Sequence, residues 1–397
     1  MKGNGFLPYG RQWVEDDDVE AVIAALRSDF LTTGPMVARF EKAFAEKVGA
    51  KHAVCCNSGT AGLHLAMLAA RLGPGDLAVV PSITFLATAN AVRYVGADVV
   101  FADVDPESGL ITADSLSAAL DSARRREGRM RAVLPVHLKG VPADMVAIAA
   151  IAQAADLLVV EDAAHAVGTR YGGGRYQVGA NHHAAMTVFS THPVKTMTTA
   201  EGGVVTTERD DLARDLRKFR SHGMEADPSG GPWYYEMSEL GYNYRMPDIN
   251  CALGLSQLAK LDRFLARRAE LVARYDRLLA PLAPLLRIPK RPADAEPGWH
   301  LYAAQIDFAA AGVTRATLMA RLREDGIGTQ VHYIPLHWQP YYRDRYGELS
   351  LPGAEAFYQG TLALPLYPSM HDDDVDRVAE RVAWHLQHPA GRQGGEA

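Results

Sequence analysis

The sequence has few cysteines, no long apolar run and no excess of positive charge. Among its 397 residues are three cysteines, Cys55, Cys56 and Cys251, and two of them are adjacent. An odd number with adjacent members does not fit a set of disulfide bridges, so we expect reduced thiols and a cytoplasmic protein. Because no apolar run of about 18 residues is present and the first residues do not resemble a signal peptide, the sequence predicts no membrane segment.

Lysine is also scarce, which limits the candidates for a reactive amine. Only nine residues are lysine, and the net charge is −6. That charge argues against a broad basic surface for nucleic acid or anionic lipid, so we expect neither partner. Hydrophobic residues make up 48% and charged residues 22% of the chain, as in ordinary globular proteins. The length is sufficient for two domains.

One lysine has an unusual sequence context. Lys195 lies between the apolar run 184–189 and the apolar pair Val204 and Val205, in a segment rich in hydroxyl groups and glycine. Burial lowers the pKa of a lysine and leaves a neutral amine that can form a Schiff base with pyridoxal phosphate (PLP). The local sequence leaves a second interpretation open, a lysine in a surface loop.

Two acidic residues follow an apolar run upstream of this lysine. Residues 157–160 are continuously apolar, as expected for a central parallel strand, and Glu161 and Asp162 come next. Ligands of open α/β sheets bind at the carboxyl ends of strands, where an aspartate can pair with a protonated pyridine nitrogen. Alternatively, the two residues only cap the next helix.

A third segment has the composition of a phosphate site. The apolar strand 53–56 is followed by Asn57-Ser-Gly-Thr60 and then by an Ala/Leu-rich helix. Backbone N–H groups at such a helix start can bind phosphate, although a simple helix cap is the alternative. No Gly-Lys-Ser/Thr follows, so this is not a P-loop. Together, the three segments supply a phosphate cradle, a ring-nitrogen partner and a Schiff-base lysine.

Short apolar strands alternate with helical patterns along most of the chain, which predicts an α/β fold with a mainly parallel sheet. Residues 11–29 and 37–48 are predicted as helices. Residues 252–279 predict one long helix that connects two domains, a large one over residues 1–248 and a smaller one over residues 249–397. Within the second domain we expect short strands at 302–308 and 328–333.

The chain resembles the sugar-nucleotide aminotransferases of the DegT/DnrJ/EryC1/StrS family. The resemblance spans residues 5–385 and is carried, in order, by Asn57-Ser-Gly-Thr60, Pro81-Ser-Ile-Thr-Phe-Leu-Ala-Thr-Ala-Asn90, Glu161-Asp-Ala-Ala-His165, His192-Pro-Val-Lys195 with Thr198 to Gly203, Arg220-Ser-His-Gly223, Gly241-Tyr-Asn-Tyr-Arg245 and Leu364-Pro-Leu-Tyr367. It implies PLP-dependent transferase fold type I, aspartate aminotransferase-like, with a mainly parallel seven-stranded central sheet and a smaller C-terminal α+β domain. It also implies L-glutamate as amino donor, pyridoxamine phosphate (PMP) as the aminated cofactor and a homodimer with shared active sites.

Segments 192–203 and 331–342 are most similar to one subgroup of that family, the UDP-4-amino-4,6-dideoxy-N-acetyl-β-L-altrosamine transaminases of pseudaminic acid biosynthesis. This similarity implies amination at C4 of a UDP-4-keto-6-deoxy-N-acetylhexosamine. Thr191 and the pair Leu138-Lys139 depart from the expected pattern. A dTDP- or GDP-4-keto-6-deoxyhexose or an inosose therefore stays open as the substrate, and a non-catalytic PLP-binding regulator is a third possibility.

The resemblance also implies roles for individual residues. Lys195 would hold PLP and then move a proton, and Asp162 would pair with the pyridinium nitrogen. His165 would lie near the phenolic oxygen of the cofactor, and Phe85 would stack on its ring. The phosphate would be bound by Ser58, Gly59, Thr60 and Ser190. Asn243 would reach the phosphate of the cofactor in the neighbouring subunit.

Substrate contacts are implied for Arg245, at the diphosphate, and for His332 and Tyr333. No metal ion is expected. Read without the family, Phe85 is equally a core aromatic, Asn243 a loop residue and Arg245 a packing residue, and His332 and Tyr333 could pack at a strand end.

Overall fold

The computed structural model describes residues 5–389 of the chain. Its helices are α1 Asp16–Leu26, α2 Pro35–Val48, α3 Gly59–Ala69, α4 Leu86–Tyr94, α5 Ala113–Ala123, α6 Met145–Ala154, α7 Asp210–Arg220, α8 Asp248–Ala259, α9 Leu261–Leu279, α10 Arg315–Glu324, α11 Pro340–Tyr346, α12 Pro352–Gly360 and α13 Asp372–Gln387. Its strands are β1 His52–Cys56, β2 Asp76–Pro81, β3 Asp98–Ala102, β4 Arg129–Val133, β5 Leu158–Asp162, β6 Arg170–Tyr171, β7 Tyr176–Gln177, β8 Met186–Ser190, β9 Gly203–Thr207, β10 Met224–Ala226, β11 Tyr235–Met237, β12 Leu286–Arg287, β13 Tyr302–Ile306 and β14 Thr361–Leu364.

Seven strands form the central sheet, in the order β1-β9-β8-β5-β4-β2-β3. Six of them run in the same direction, and β9 is antiparallel to both of its neighbours. Successive residues of each strand enter two different hydrophobic clusters: Val79 and Val159 lie in one, and Val80 and Val160 in the other. Burial on both faces explains why these strands are continuously apolar, and it confirms the predicted α/β fold with a mainly parallel seven-stranded sheet.

A second, three-stranded antiparallel sheet has the order β12-β13-β14. Helix α13 packs on α9 and α10 beside it. The hydrophobic cluster of this region also includes residues from the first half of the chain, such as Ile83 and Leu138, so segments of both halves of the chain pack together there. The predicted division into residues 1–248 and 249–397 stays a prediction.

Two predicted elements differ from the structure. The helix predicted over residues 252–279 is two helices, α8 and α9, which meet at Lys260. The ammonium of Lys260 binds the carboxylates of Asp17 (2.6 Å) and Asp18 (2.8 Å), so this junction is tied to α1. The strand predicted over residues 328–333 is absent, because only Gln330 pairs with a neighbouring strand, at Ala363 of β14. The rest of that segment turns toward a cavity.

Candidate active site

A cavity of about 760 Å³ lies at the carboxyl ends of the parallel strands. The edge is defined by Cys56, Pro81, Asp162 and Ser190, which end β1, β2, β5 and β8. Ten of the twelve predicted site residues line this cavity: Ser58, Gly59, Thr60, Phe85, Asp162, His165, Ser190, Lys195, His332 and Tyr333. Residues that are far apart in sequence are therefore brought together by the sheet topology.

The other two predicted residues do not line this cavity. Asn243 pairs through its backbone with Ser221, and Arg245 lines a separate cavity of about 270 Å³ together with Arg220 and Glu41. Asn243 is expected to act across a subunit interface. Its role, and the contact of Arg245 with a substrate diphosphate, stay predictions.

Lys195 lies in a tight turn after β8, where its N–H donates to the carbonyl of His192 at 2.9 Å. The side chain borders the cavity and is largely surrounded by protein. Desolvation by burial lowers the pKa of Lys195 from 10.5 to about 8, and the nearby charge of Asp162 partly opposes this change. A substantial fraction of this amine is therefore neutral near physiological pH, as a nucleophilic lysine requires.

The carboxylate of Asp162 is held rigidly at the end of β5. Its Oδ2 accepts a hydrogen bond from the hydroxyl of Thr88 at 2.6 Å, and its Oδ1 accepts from the N–H of Ala164 at 3.1 Å. The Thr88 hydroxyl has one hydrogen and uses it on Asp162, so the hydroxyl of Thr84, 2.7 Å away, donates to Thr88. Asp162 is 5% exposed, and these donors fix the direction in which it can accept a further hydrogen bond.

The first turn of α3 forms the opposite part of the cavity. Ser58 is the N-cap residue and accepts a hydrogen bond from the N–H of Ala61 at 3.0 Å, so the simple helix-cap interpretation is also correct. A Cβ at Gly59 would lie 2.9 Å from the Cβ of Ser190, so this close approach of α3 to β8 needs glycine. The N–H groups of this turn and the hydroxyls of Thr60 and Ser190 suit an anion.

His165 is neutral and held in one tautomer. The N–H of Lys139 donates to its Nδ1 at 3.3 Å, so Nε2 carries the hydrogen, and that atom lies 3.3 Å from the hydroxyl of Tyr333. Desolvation, with smaller effects of Lys195 and His332, lowers the pKa of His165 well below its usual range. A hydrogen-bond donor of His165 therefore lies beside the cavity, facing the hydroxyl of Tyr333.

Aromatic and histidine rings line the mouth of the cavity. Phe85 is 53% exposed and lies 5.7 Å from the ring of Tyr333, so its face is free to stack on a planar ligand. Burial, with a smaller effect of Lys195, lowers the pKa of His332 to about 3. His332 is therefore neutral, and its buried Nδ1 has no hydrogen-bond partner among the described residues.

Several residues of the site have no local signal in the sequence. Thr84 and Thr88 belong to a segment that carries the family resemblance, but nothing local in the sequence singles them out. Thr88 meets Asp162, which is 74 residues away, and Thr84 meets Thr88. Tyr9 also lines the cavity, with its ring 5.5 Å from that of His332. The ring of His300 contacts that of His165 at an angle of 47°, with ring centres 4.4 Å apart.

These residues fit PLP by their chemistry. The cavity combines a desolvated amine, an oriented carboxylate, a helix start with a required glycine and an exposed aromatic face. Within residues 5–389 no group of three or more His, Cys, Asp or Glu side chains could hold a metal ion. No helix in the same range is both long and apolar enough to cross a membrane.

Known proteins match this chain along most of its length. The DegT/DnrJ/EryC1/StrS aminotransferase family matches residues 13–383. The spore coat polysaccharide biosynthesis protein SpsC of Bacillus subtilis (strain 168) is 43% identical over 390 residues, which cover 96% of this chain and 97% of that protein.

Two proteins of known structure have closely similar folds. Helicobacter pylori PseC, an aminotransferase involved in the biosynthesis of pseudoaminic acid, has a TM-score of 0.88 at 28% identity, covering 96% of this chain and all of that chain. Streptococcus pneumoniae Spr1654 was solved in PMP and PLP forms, with TM-scores of 0.88 and 0.87 at 27% identity, each covering 96% of this chain and 99% of that chain. Through its match over residues 13–383, the chain belongs to the PLP-dependent DegT/DnrJ/EryC1/StrS family of sugar aminotransferases.

Proposed function

We propose that this enzyme transfers the amino group of L-glutamate to C4 of a UDP-4-keto-6-deoxy-N-acetylhexosamine, with Lys195 and Asp162 as its catalytic residues. The observation that carries the proposal is the placement of the Lys195 amine and the Asp162 carboxylate in one cavity, with the first turn of α3. We propose PLP as the cofactor, which becomes PMP after the first half of the reaction. When bound, PLP supplies an electron sink at the carbon that loses a proton.

Asp162 and Lys195 would have different roles in this reaction. Asp162, fixed by Thr88 and Ala164, keeps a proton on the ring nitrogen. The Lys195 Nζ first holds the cofactor and then moves a proton to or from the reacting carbon, a role suited to an amine with a pKa of about 8. Glutamate would give up its nitrogen and leave as 2-oxoglutarate, whose keto oxygen comes from water. The nitrogen would then replace the carbonyl oxygen at C4 of the sugar, which leaves as water.

Cofactor placement is proposed for a further set of residues. Ser58, Gly59, Thr60 and Ser190 would bind the phosphate, while Phe85 would stack on the ring and His165 would donate from Nε2 to the phenolic oxygen. Support comes from their common cavity and from the hydrogen on Nε2 of His165. We further propose a cytoplasmic homodimer in which Asn243 reaches the neighbouring cofactor and Arg245 the substrate diphosphate.

The choice of a UDP-linked sugar rests on two segments and one relative. Segments 192–203 and 331–342 resemble the pseudaminic acid subgroup, and both contribute to the cavity, through Lys195, His332 and Tyr333 among others. PseC, which acts in pseudoaminic acid biosynthesis, has a similar fold. SpsC, the relative at 43% identity, is a spore coat polysaccharide biosynthesis protein. A dTDP- or GDP-linked keto sugar therefore stays the second candidate substrate.

A panel of keto-sugar nucleotides tests the proposal. The PLP-loaded enzyme is incubated with L-glutamate and, in separate reactions, with UDP-, dTDP- and GDP-linked 4-keto-6-deoxy sugars. We expect amination of a UDP-linked sugar, and turnover of dTDP- or GDP-sugars alone would assign the second candidate. If glutamate fails to convert bound PLP to PMP, the chain would instead be a non-catalytic PLP-binding protein. The Lys195→Ala variant is the control for lysine-dependent turnover.

A further inference from the structure

The segment that carries His332 and Tyr333 is attached to the rest of the fold at two points. At one end the backbone of Gln330 pairs with Ala363 of β14, through hydrogen bonds of 3.2 Å and 2.8 Å. At the other end the N–H of Leu336 donates to the carbonyl of Ser82 at 2.8 Å. Residues 331–335, which we name the bridge segment, span the distance between these attachments and form part of the cavity wall.

The second attachment is reinforced by a chain of three side chains. The Oγ of Ser82 lies 2.7 Å from Nδ1 of His337, and Nε2 of His337 lies 3.4 Å from Oε1 of Glu355. The N–H of His337 also donates to the Oγ of Ser82 at 3.4 Å. The carboxylate of Glu355 can only accept, so Nε2 of His337 carries a hydrogen. Burial lowers the pKa of His337, so the ring is neutral, and Nδ1 then accepts the hydrogen of the Ser82 hydroxyl.

Serine, histidine and glutamate in this arrangement resemble the relay of a hydrolase, but the burial of the serine argues against that chemistry. Ser82 is completely buried, His337 is 2% exposed, and neither lines the cavity. A substrate carbonyl therefore has no path to the hydroxyl. Ser82, His337 and Glu355 must therefore act through the segments that they hold in place.

These three residues hold both walls of the cavity mouth in place. Ser82 follows β2 directly and precedes Thr84 and Phe85. Thr84 is linked to Asp162 through Thr88, and Phe85 lines the cavity. On the other side, His337 lies two residues after the bridge segment, in which the hydroxyl of Tyr333 lies 3.3 Å from Nε2 of His165. The distance between Phe85 and Tyr333 thus depends on the contact between Ser82 and His337.

We propose that Ser82, His337 and Glu355 are positioning residues that fix the bridge segment, and with it His332 and Tyr333, for binding of the keto sugar. The effect on sugar binding rests on the proposed function, whereas the effect on the bridge segment does not. Glu355 orients the imidazole of His337, and its Oε1 also accepts the N–H of Leu351 at 3.0 Å, so the carboxylate is itself fixed.

The test compares the variants Ser82→Ala, His337→Leu and His337→Asn with the wild-type holoenzyme. Asparagine can keep a polar atom near the position of Nδ1, whereas leucine cannot. The matched control is His385→Gln, because His385 is also a buried histidine bound to a carboxylate (Asp325, 2.6 Å) but lies in α13, away from the cavity. Two quantities are measured: amide hydrogen exchange in residues 331–337, and the KM for the keto sugar beside the rate of PLP conversion by glutamate.

We expect Ser82→Ala and His337→Leu to speed amide exchange in residues 331–337 about tenfold, since a buried hydrogen bond is lost there. The KM for the keto sugar should rise about five- to tenfold, with the glutamate half-reaction changed less than about twofold. His337→Asn should recover part of both effects, and His385→Gln should show neither.

Unchanged exchange in the bridge segment of folded Ser82→Ala protein would overturn the proposal, even if no keto sugar is a substrate. Equal losses in both half-reactions would also overturn it, because they would indicate general damage instead of positioning. Failure of the wild-type enzyme to aminate any keto sugar would contradict the proposed function alone.

Discussion

Reaction of Lys195 with an aldehyde should depend on pH with an inflection near pH 8. The structure gives the size of the effect, because burial lowers the pKa of this lysine from 10.5 to about 8. At pH 7 this change raises the fraction of neutral amine about 300-fold over that of an ordinary lysine. Only the neutral amine attacks a carbonyl, so the rate of Schiff-base formation at Lys195 should rise until about pH 8 and then level off.

The assay uses protein freed of cofactor, pyridoxal without its phosphate, and borohydride to trap the product. Mass spectrometry of peptides then gives the rate at each lysine as a function of pH. Lys290 is an internal reference, since hydrogen bonds and charges of Glu107 and Asp105 raise its pKa above 10.5. An inflection for Lys195 at or above that of Lys290 would refute the desolvation argument.

A charge change at Asp162 separates the two causes of the shift. The Asp162 carboxylate raises the pKa of Lys195, while desolvation, the larger effect, lowers it. Asp162→Asn should therefore move the inflection below pH 8, to a still more acidic value. A shift in the opposite direction would mean that Asp162 does not act on Lys195 through its charge.

The remaining predictions concern the subunit interface, the phosphate cradle and a buried lysine. Mixing Lys195→Ala with Asn243→Ala protein should restore part of the activity through hybrid dimers, and no recovery after verified subunit exchange would contradict a role of Asn243 across the interface. Gly59→Ala should weaken PLP binding about tenfold or more in a fluorescence titration, because its Cβ would press on Ser190, 2.9 Å away; unchanged affinity would argue against this cradle. Burial lowers the pKa of Lys139 from 10.5 to about 7. Between about pH 7 and 10.5 the unfolded chain therefore binds more protons than the folded protein. The free energy of unfolding should rise with pH over that window, by at most about 5 kcal/mol. Urea unfolding at pH 7 and 9.5 should show a smaller rise for Lys139→Met, and an equal rise would mean that Lys139 is not the cause.

The sequence predicts the central sheet well, because its strands carry a strong local pattern. Residues 157–160 are apolar at every position. In the structure Leu157, Val159 and Val160 are buried, and Leu158 is partly buried. The pattern is weaker where long-range contacts decide the structure. Helix α8 ends beside Lys260, whose ammonium is bound by acidic residues of α1 about 240 residues away, and no local feature of 252–279 indicates this break.

The candidate site shows the same division. Lys195, Asp162 and Gly59 each lie in a segment whose own composition is unusual for a loop or strand end, so each was predictable. The contacts that orient the site join distant segments: Thr88 holds Asp162 across 74 residues, and Ser82 contacts His337, beside the bridge segment, across 255. Hydroxyl and imidazole groups of this kind are common in any chain, and only the fold selects the pairs that meet.

Transfer of nitrogen from [15N]L-glutamate to the sugar tests the central claim most directly. The PLP-loaded enzyme is incubated with the labelled amino acid and a UDP-4-keto-6-deoxy-N-acetylhexosamine, and the nucleotide sugar is analysed by mass spectrometry and NMR. We predict one 15N at C4 of the UDP-linked product with wild-type enzyme and none with Lys195→Ala. An unlabelled UDP-sugar in the wild-type reaction, or equal labelling with the Lys195→Ala protein, would contradict the account.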